Sequence, residues 1–197
     1  MWLLAGPNGA GKSTFTCHGV IREISGQAVL ELNADERAQQ IRQAEPEAQD
    51  IELRAARETD AAVAACIERG DDFLIETVLS TDKYIDDVEF ALQLGFRIGM
   101  VYVALATPQD AIRRVALRVS QHGHNVPADR IAPRWARSIS MLGRFVPLCE
   151  CLYVFDNSGP ATHGDPVLIA YKNEEGRIVL LGRGQIPSID QVLLPFL

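Results

Sequence analysis

Gly6-Pro7-Asn8-Gly9-Ala10-Gly11-Lys12-Ser13 fills every fixed position of the pattern G-x-x-x-x-G-K-[ST]. Glycine has no Cβ, so a chain rich in it can turn its backbone N–H groups inward around an anion that bulkier residues would keep out. The pattern needs a strand before it and a helix behind it. Leu3-Leu4-Ala5 supplies the strand, and Lys12 to Ser25 reads as the helix, whose amino end would aim its positive dipole at the same anion. Gly6, Pro7, Asn8, Gly9, Ala10, Gly11, Lys12, Ser13 and Thr14 are therefore expected to hold the phosphates of ATP. Lys12 would bridge the β- and γ-phosphates and the Ser13 hydroxyl would ligate Mg²⁺. The dinucleotide fingerprint G-x-G-x-x-G does not fit glycines at 6, 9 and 11 followed by Lys-Ser.

Outward from this loop, strand-like and helix-like segments alternate. Ala28 to Leu32 reads as a strand, and 35–69 as helix broken at Pro46 and stopped by Gly70. Phe73-Leu74-Ile75 is a short strand, and Asp82 to Leu94 a helix ended by Gly95. Ile98 to Leu105 is a continuous apolar run of the kind buried in parallel sheets. Helices follow from Pro108 and, beyond a polar turn at 121–127, on to Phe145, with Pro133 expected in the first turn of the second. Leu152 to Phe155 is a further strand, and Val167–Tyr171 and Ile178–Leu181 flank the hairpin signal Asn173-Glu174-Glu175-Gly176. This order implies an α/β fold of the P-loop NTPase type. Its mostly parallel sheet carries helices on both faces, a helical Arg-bearing lid over about 108–146 and a C-terminal β-hairpin. No linker or repeat divides residues 1–197, so one kinase-like P-loop domain is expected.

Composition narrows the classes. The 197 residues are 47% apolar and 23% charged, with a net charge of −7, a globular balance that argues against general nucleic-acid or anionic-membrane binding. No run of eighteen apolar residues exists, and Met1-Trp2-Leu3-Leu4-Ala5 lacks the basic flank of a signal peptide. No membrane association and a cytoplasmic location are expected. Cys17, Cys66, Cys149 and Cys151 lack zinc-like spacing and read as reduced structural thiols.

In an open parallel sheet, ligands sit beyond the carboxyl ends of the strands. Asp35 follows Leu32-Asn33-Ala34 there, and a carboxylate at this point can take the proton of an attacking hydroxyl. The same residue also reads as a cap for a helix beginning at Glu36, and the residues leave both open. Glu76 and Thr77 end the third strand, where an acid can hold Mg²⁺ through water or orient an acceptor. Asp156-Asn157-Ser158 has an ordinary turn explanation.

Charge is unevenly spread. Residues 113–144 hold seven Arg against one Asp, a charge of +6, which leaves −13 for the rest of the chain. Arg114, Arg118 and Gln121 share one helical face; Arg134, Arg137 and Arg144 share another, opposite Ile131, Trp135, Ile139 and Leu142. Guanidinium groups pair bidentately with phosphate oxygens, so the two helices read as a lid closing over polyphosphate. His122 and His124 lack nearby acid or thiol partners and suit turn or substrate contacts better than metal.

Together, Gly6–Thr14, Leu32-Asn33-Ala34-Asp35-Glu36, Leu74-Ile75-Glu76-Thr77, Arg118-Val119, Gly123-His124-Asn125-Val126-Pro127, Arg134-Trp135-Ala136-Arg137-Ser138 and Phe155-Asp156-Asn157-Ser158 resemble the zeta-toxin family of P-loop kinases. The resemblance runs from about Leu3 to Ser158. It implies transfer of the ATP γ-phosphate to the 3′-hydroxyl of a UDP-N-acetyl amino sugar, with an antitoxin protein as a possible partner. It also implies roles: Lys12 and Ser13 on ATP and Mg²⁺, Asp35 as base, Glu76, Thr77 and His124 on the acceptor, Arg118 and Arg134 on the transferring phosphoryl. The chain departs from the family pattern at His122 and Pro133. Gly-Pro-Asn-Gly-Ala-Gly-Lys-Ser-Thr also occurs in transport and DNA-repair ATPases, but their Leu-Ser-Gly-Gly-Gln-like signature and Asp-Glu strand end are not in this sequence. An ATPase or an ATP-binding regulatory module without small-molecule kinase activity is the alternative.

Overall fold

A computed structural model describes residues 1–17, 26, 29–120, 126–159, 166–182 and 184–197. In chain order its elements are β1 (Trp2–Ala5), α1 (Lys12–Cys17), β2 (Leu30–Leu32), α2 (Ala34–Ala44), α3 (Ile51–Arg69), β3 (Phe73–Thr77) and α4 (Ile85–Gln93). There follow β4 (Gly99–Ala104), α5 (Pro108–Ser120), α6 (Ala128–Phe145), β5 (Cys151–Asp156), β6 (Val167–Lys172), β7 (Ile178–Leu180) and α7 (Pro187–Leu193).

The strands form one seven-stranded sheet in the order β2-β3-β1-β4-β5-β6-β7. The pairs from β2 to β5 are parallel, and β6 and β7 add antiparallel at one edge. The first strand is thus central, flanked by β3 and β4 from later in the chain. Strand order reverses at this point, which opens the crevice into which the Gly6–Gly11 loop emerges.

Side-chain alternation explains why both faces are covered. Along β4, Met100, Tyr102 and Ala104 enter one apolar cluster while Val101 and Val103, with Leu105 just beyond, enter another. The first cluster takes Val63 and Ile67 from α3 and Ile139, Leu142 and Phe145 from α6; the second takes Phe15, Ala111, Val115 and Ile131. Each large side chain so buried contributes about 1.5–3 kcal/mol, so these layers dominate the stability. A smaller cluster of Ala38, Ile41 and Ala55 joins α2 to α3, and exposed ion pairs such as Arg54–Glu45 and Arg37–Glu58 fringe it.

One expectation changes and one element is added. The second lid helix begins at Ala128, so Pro133 lies inside it rather than in its first turn. Proline there removes the N–H that would bond to Asp129, and the loss is tolerated so close to the amino end, where few such bonds exist yet. Arg130 therefore belongs to the helix. The last helix, α7, does not announce itself in the sequence; Ile189 and Leu193 bury it against α6. The expected strand from Ala28 is seen over Leu30–Leu32, and the expected helix beyond Cys17 lies outside the described residues.

Candidate active site

The loop after β1 crosses the backbone of β4 at close range. Gly6 has φ +147°, and a Cβ added to it would lie 2.2 Å from the Val103 carbonyl oxygen. Only glycine permits that approach. Ala10 N donates to Pro7 O at 3.2 Å, and Thr14 N to Gly11 O at 3.0 Å, which opens α1. Lys12 folds back over the loop, its Nζ donating to Gly6 O at 2.9 Å and Pro7 O at 3.3 Å. Its side chain is buried, as is that of Asn8.

Burial and distant charges both act on this amine. Burial pushes the Lys12 pKa down; Glu76 and then Asp35 oppose that, and Arg118 adds to it. Residues from β3, α2 and α5 thus act on one ammonium. Glu76 is half-buried, and burial raises its pKa against the pull of Lys12 and a hydrogen bond from Ser13; Glu36 and Asp35 raise it further. The Ser13 hydroxyl stands 3.4 Å from each Glu76 carboxylate oxygen. These hard oxygen donors, beside the glycine loop, fit Mg²⁺, which takes one or two protein oxygens and completes its shell with phosphate and water.

Asp35 is exposed in the first turn of α2. The helix begins at Ala34, and the cap is Asn33, whose Oδ1 accepts from Asp35 N at 2.9 Å. The capping alternative for Asp35 is thereby removed. Thr77 is engaged differently from expectation: its Oγ1 accepts from Leu79 N at 3.1 Å. That bond shapes a turn in which buried Leu79 holds φ +54°, unusual for a branched side chain.

The lid arginines divide. Helices α5 and α6 do pack together, with Ile131, Ile139 and Leu142 buried and Trp135 donating from its indole to Leu105 O at 3.0 Å. Arg118 is the one whose charge reaches Lys12, and Arg134 is half-buried on α6. Arg114 donates to Gly159 O, Arg137 to Ser80 O at 3.2 Å, and Arg113 pairs with Asp110. Arg144 lies 3.9 Å from Asp82. Arg134 and Arg144 are ten residues apart on one helix, about 15 Å of rise, so a shared face cannot bring both to one phosphate. His124 falls outside the described residues.

Asp156-Asn157-Ser158, an ordinary turn by sequence, turns out to be a clasp. Asn157 N donates to Ala104 O at 3.0 Å and Ser158 Oγ accepts from Ala106 N at 2.7 Å, tying β5 to β4. Asn157 Nδ2 then reaches Ala10 O, 2.7 Å away, in the loop. The available signal was position, since the run ends a strand at the sheet's carboxyl edge. A cleft of about 730 Å³ lies at the opposite, amino-terminal edge, lined by Met1, Trp2, Asp72, Arg97, Cys151 and Tyr153 among others. It carries neither the loop nor the lid.

The family model described as Zeta toxin matches residues 1–181. An uncharacterized protein of Haemophilus influenzae is 28% identical over 131 residues, covering 66% of this chain and 88% of its own. A crystal structure of AvrRxo1-ORF1:-ORF2 with ATP superposes with a TM-score of 0.69 at 14% identity; 99% of this chain is covered, and it spans 62% of that one. The structure of the PezAT chromosomal toxin–antitoxin system of Streptococcus pneumoniae gives 0.62 at 17% identity, covering 100% of this chain and 77% of that one. At such identities the superpositions speak to the fold. Among the described residues no helix is long and apolar enough to cross a membrane.

Proposed function

The chain belongs to the zeta-toxin family of phosphotransferases, and we propose that it moves the γ-phosphate of ATP onto a hydroxyl of a nucleotide sugar such as UDP-N-acetylglucosamine. The observation that carries this reading is the loop geometry: Lys12 Nζ is buried against Gly6 O and Pro7 O, with the Ser13 hydroxyl 3.4 Å from both Glu76 oxygens and the charges of Glu76, Asp35 and Arg118 acting on the amine. A base, an acid beside a P-loop hydroxyl and a guanidinium around one cradle are the parts that phosphoryl transfer needs. The whole chain, residues 1–197, acts as one catalytic domain.

In this reading Gly6 to Thr14 wrap the triphosphate, and Lys12 exchanges the Gly6 and Pro7 carbonyls for phosphate oxygens. Ser13 and Glu76 would hold Mg²⁺, which supplies charge neutralisation on the phosphates when bound. Asp35 takes the acceptor's hydroxyl proton as the new O–P bond forms and the bond to the ADP oxygen breaks. Arg118 and Arg134 steady the charge spread over the transferring group. Glu76, Thr77 and His124 orient the acceptor, with Thr77 keeping its hydroxyl hydrogen free to donate while its oxygen serves Leu79. An antitoxin protein is the proposed partner, and the proposed location is the cytoplasm.

Incubation of the protein with labelled ATP and a panel of UDP-sugars, read by mass spectrometry, tests the proposal. Label on a UDP-sugar is expected. Label released only to water would replace transfer with ATP hydrolysis.

A further inference from the structure

The amide of Asn157 holds a peptide rather than a ligand, and that peptide is part of the cradle. Its Nδ2 donates to Ala10 O at 2.7 Å. It also fills the space beside Gly11, where an added Cβ would come within 2.7 Å of the same nitrogen. Gly11 has φ +89°, so the Ala10–Gly11 peptide could rotate with little steric resistance. A peptide unit is planar and trans, so its C=O and N–H point to opposite sides. Fixing the Ala10 carbonyl toward β5 therefore fixes the Gly11 N–H on the other side of the loop.

Asn157 is itself immobilised. Its N–H is bonded to Ala104 O, and the neighbours Asp156 and Ser158 are joined to each other and to Ala106 N. The clasp thus transmits the rigidity of the β4–β5 pair to the Ala10–Gly11 peptide, at one of the loop's positive-φ glycines.

We propose that Asn157 is a positioning residue that presets the Gly11 amide to receive a phosphate oxygen before nucleotide arrives. The inference rests on the nucleotide-binding reading of the loop. A preset donor binds an anion without first losing the entropy of orienting it. Because the amide meets phosphate in ground and transition states alike, its loss weakens binding uniformly.

Calorimetric titration of the full chain and of Asn157→Ala and Asn157→Asp with ATP·Mg and with inorganic tripolyphosphate tests this, together with Tm of each unloaded protein. Asn157→Asp preserves side-chain shape but removes the donor and turns an anionic oxygen toward Ala10 O. Both variants are expected to bind both ligands about tenfold or more weakly, at wild-type stoichiometry. A parallel loss for ATP and tripolyphosphate locates the effect at the phosphates. A fall in stoichiometry and Tm with unchanged Kd would mean that Asn157 only stabilises the fold, and overturns the proposal. Wild-type Kd in both variants overturns it as well, leaving the loop's assignment intact. Absence of ATP binding by the unsubstituted chain would remove the nucleotide reading and the proposal with it.

Discussion

The hydroxyl of Ser13 lies equidistant from the two carboxylate oxygens of Glu76, 3.4 Å from each, across 63 residues of sequence. That is long for a hydroxyl–carboxylate bond, whose usual length is about 2.7 Å. The pair is therefore close enough to share a cation and too far apart to lock each other shut. The amine of Lys12 and the acid of Glu76 are both destabilised by burial and each relieves the other.

That balance gives a pH signature. The Glu76 pKa is raised above its ordinary 4.5, so the folded state binds more protons than the unfolded state as pH climbs from there. Its contribution to stability is present below that value and is lost as pH rises through the folded pKa. Glu76→Gln abolishes this titration. The Tm difference, variant minus wild type, measured without nucleotide, should grow as pH rises from about 4.5 toward 7; a constant difference would deny the raised pKa.

Lys12→Ala should remove ATP·Mg binding, because the buried ammonium is the positive charge already inside the loop, bonded to Gly6 O and Pro7 O. Retention of wild-type affinity in an equilibrium binding assay would take Lys12 out of the cradle.

Asp35→Asn should leave ATP affinity near wild type and lower transfer by roughly 10²-fold or more, the cost of a lost general base. With Asn33 holding the helix cap, the substitution should not shift Tm by much. Unchanged turnover in a single-turnover assay would reject the base.

Arginines on the two lid helices should separate by position. Arg118→Ala, at the residue whose charge reaches Lys12, should cost roughly 10³-fold in transfer. Arg144→Ala, near Asp82, should leave transfer unchanged. Equal losses in the two variants would mean that both reach the phosphates.

Ser138→Ala tests how the lid helix is anchored. The Tyr102 hydroxyl and Ser138 Oγ are 2.9 Å apart and both residues are fully buried, one on β4 and one on α6. Removing one partner strands the phenol, at about 1–3 kcal/mol. A chemical denaturation midpoint equal to wild type would show that the phenol finds another partner.

Local chemistry made much of this legible in the chain alone. The loop's glycines, the helix-forming stretch broken at Pro46, the apolar run at Ile98–Leu105 and the hairpin signal at Asn173–Gly176 each specify backbone geometry through their immediate neighbours. They matched the sheet, its helices and the antiparallel edge. Contacts between distant segments were not legible. Sequence could not say whether Asp35 would cap a helix starting at Glu36 or stand free of the cap, because a shift of two residues in the helix start, to Ala34, decides it. Nor could it divide seven arginines with similar helical spacing into those near Lys12 and those near Ser80 or Asp82. The reach of a side chain depends on where two helices cross the sheet, and that crossing is set by packing across the whole core. Asn157 makes the point most plainly: its neighbours spell a turn, and only the folding of β5 beside β4 brings its amide onto Ala10, 147 residues earlier.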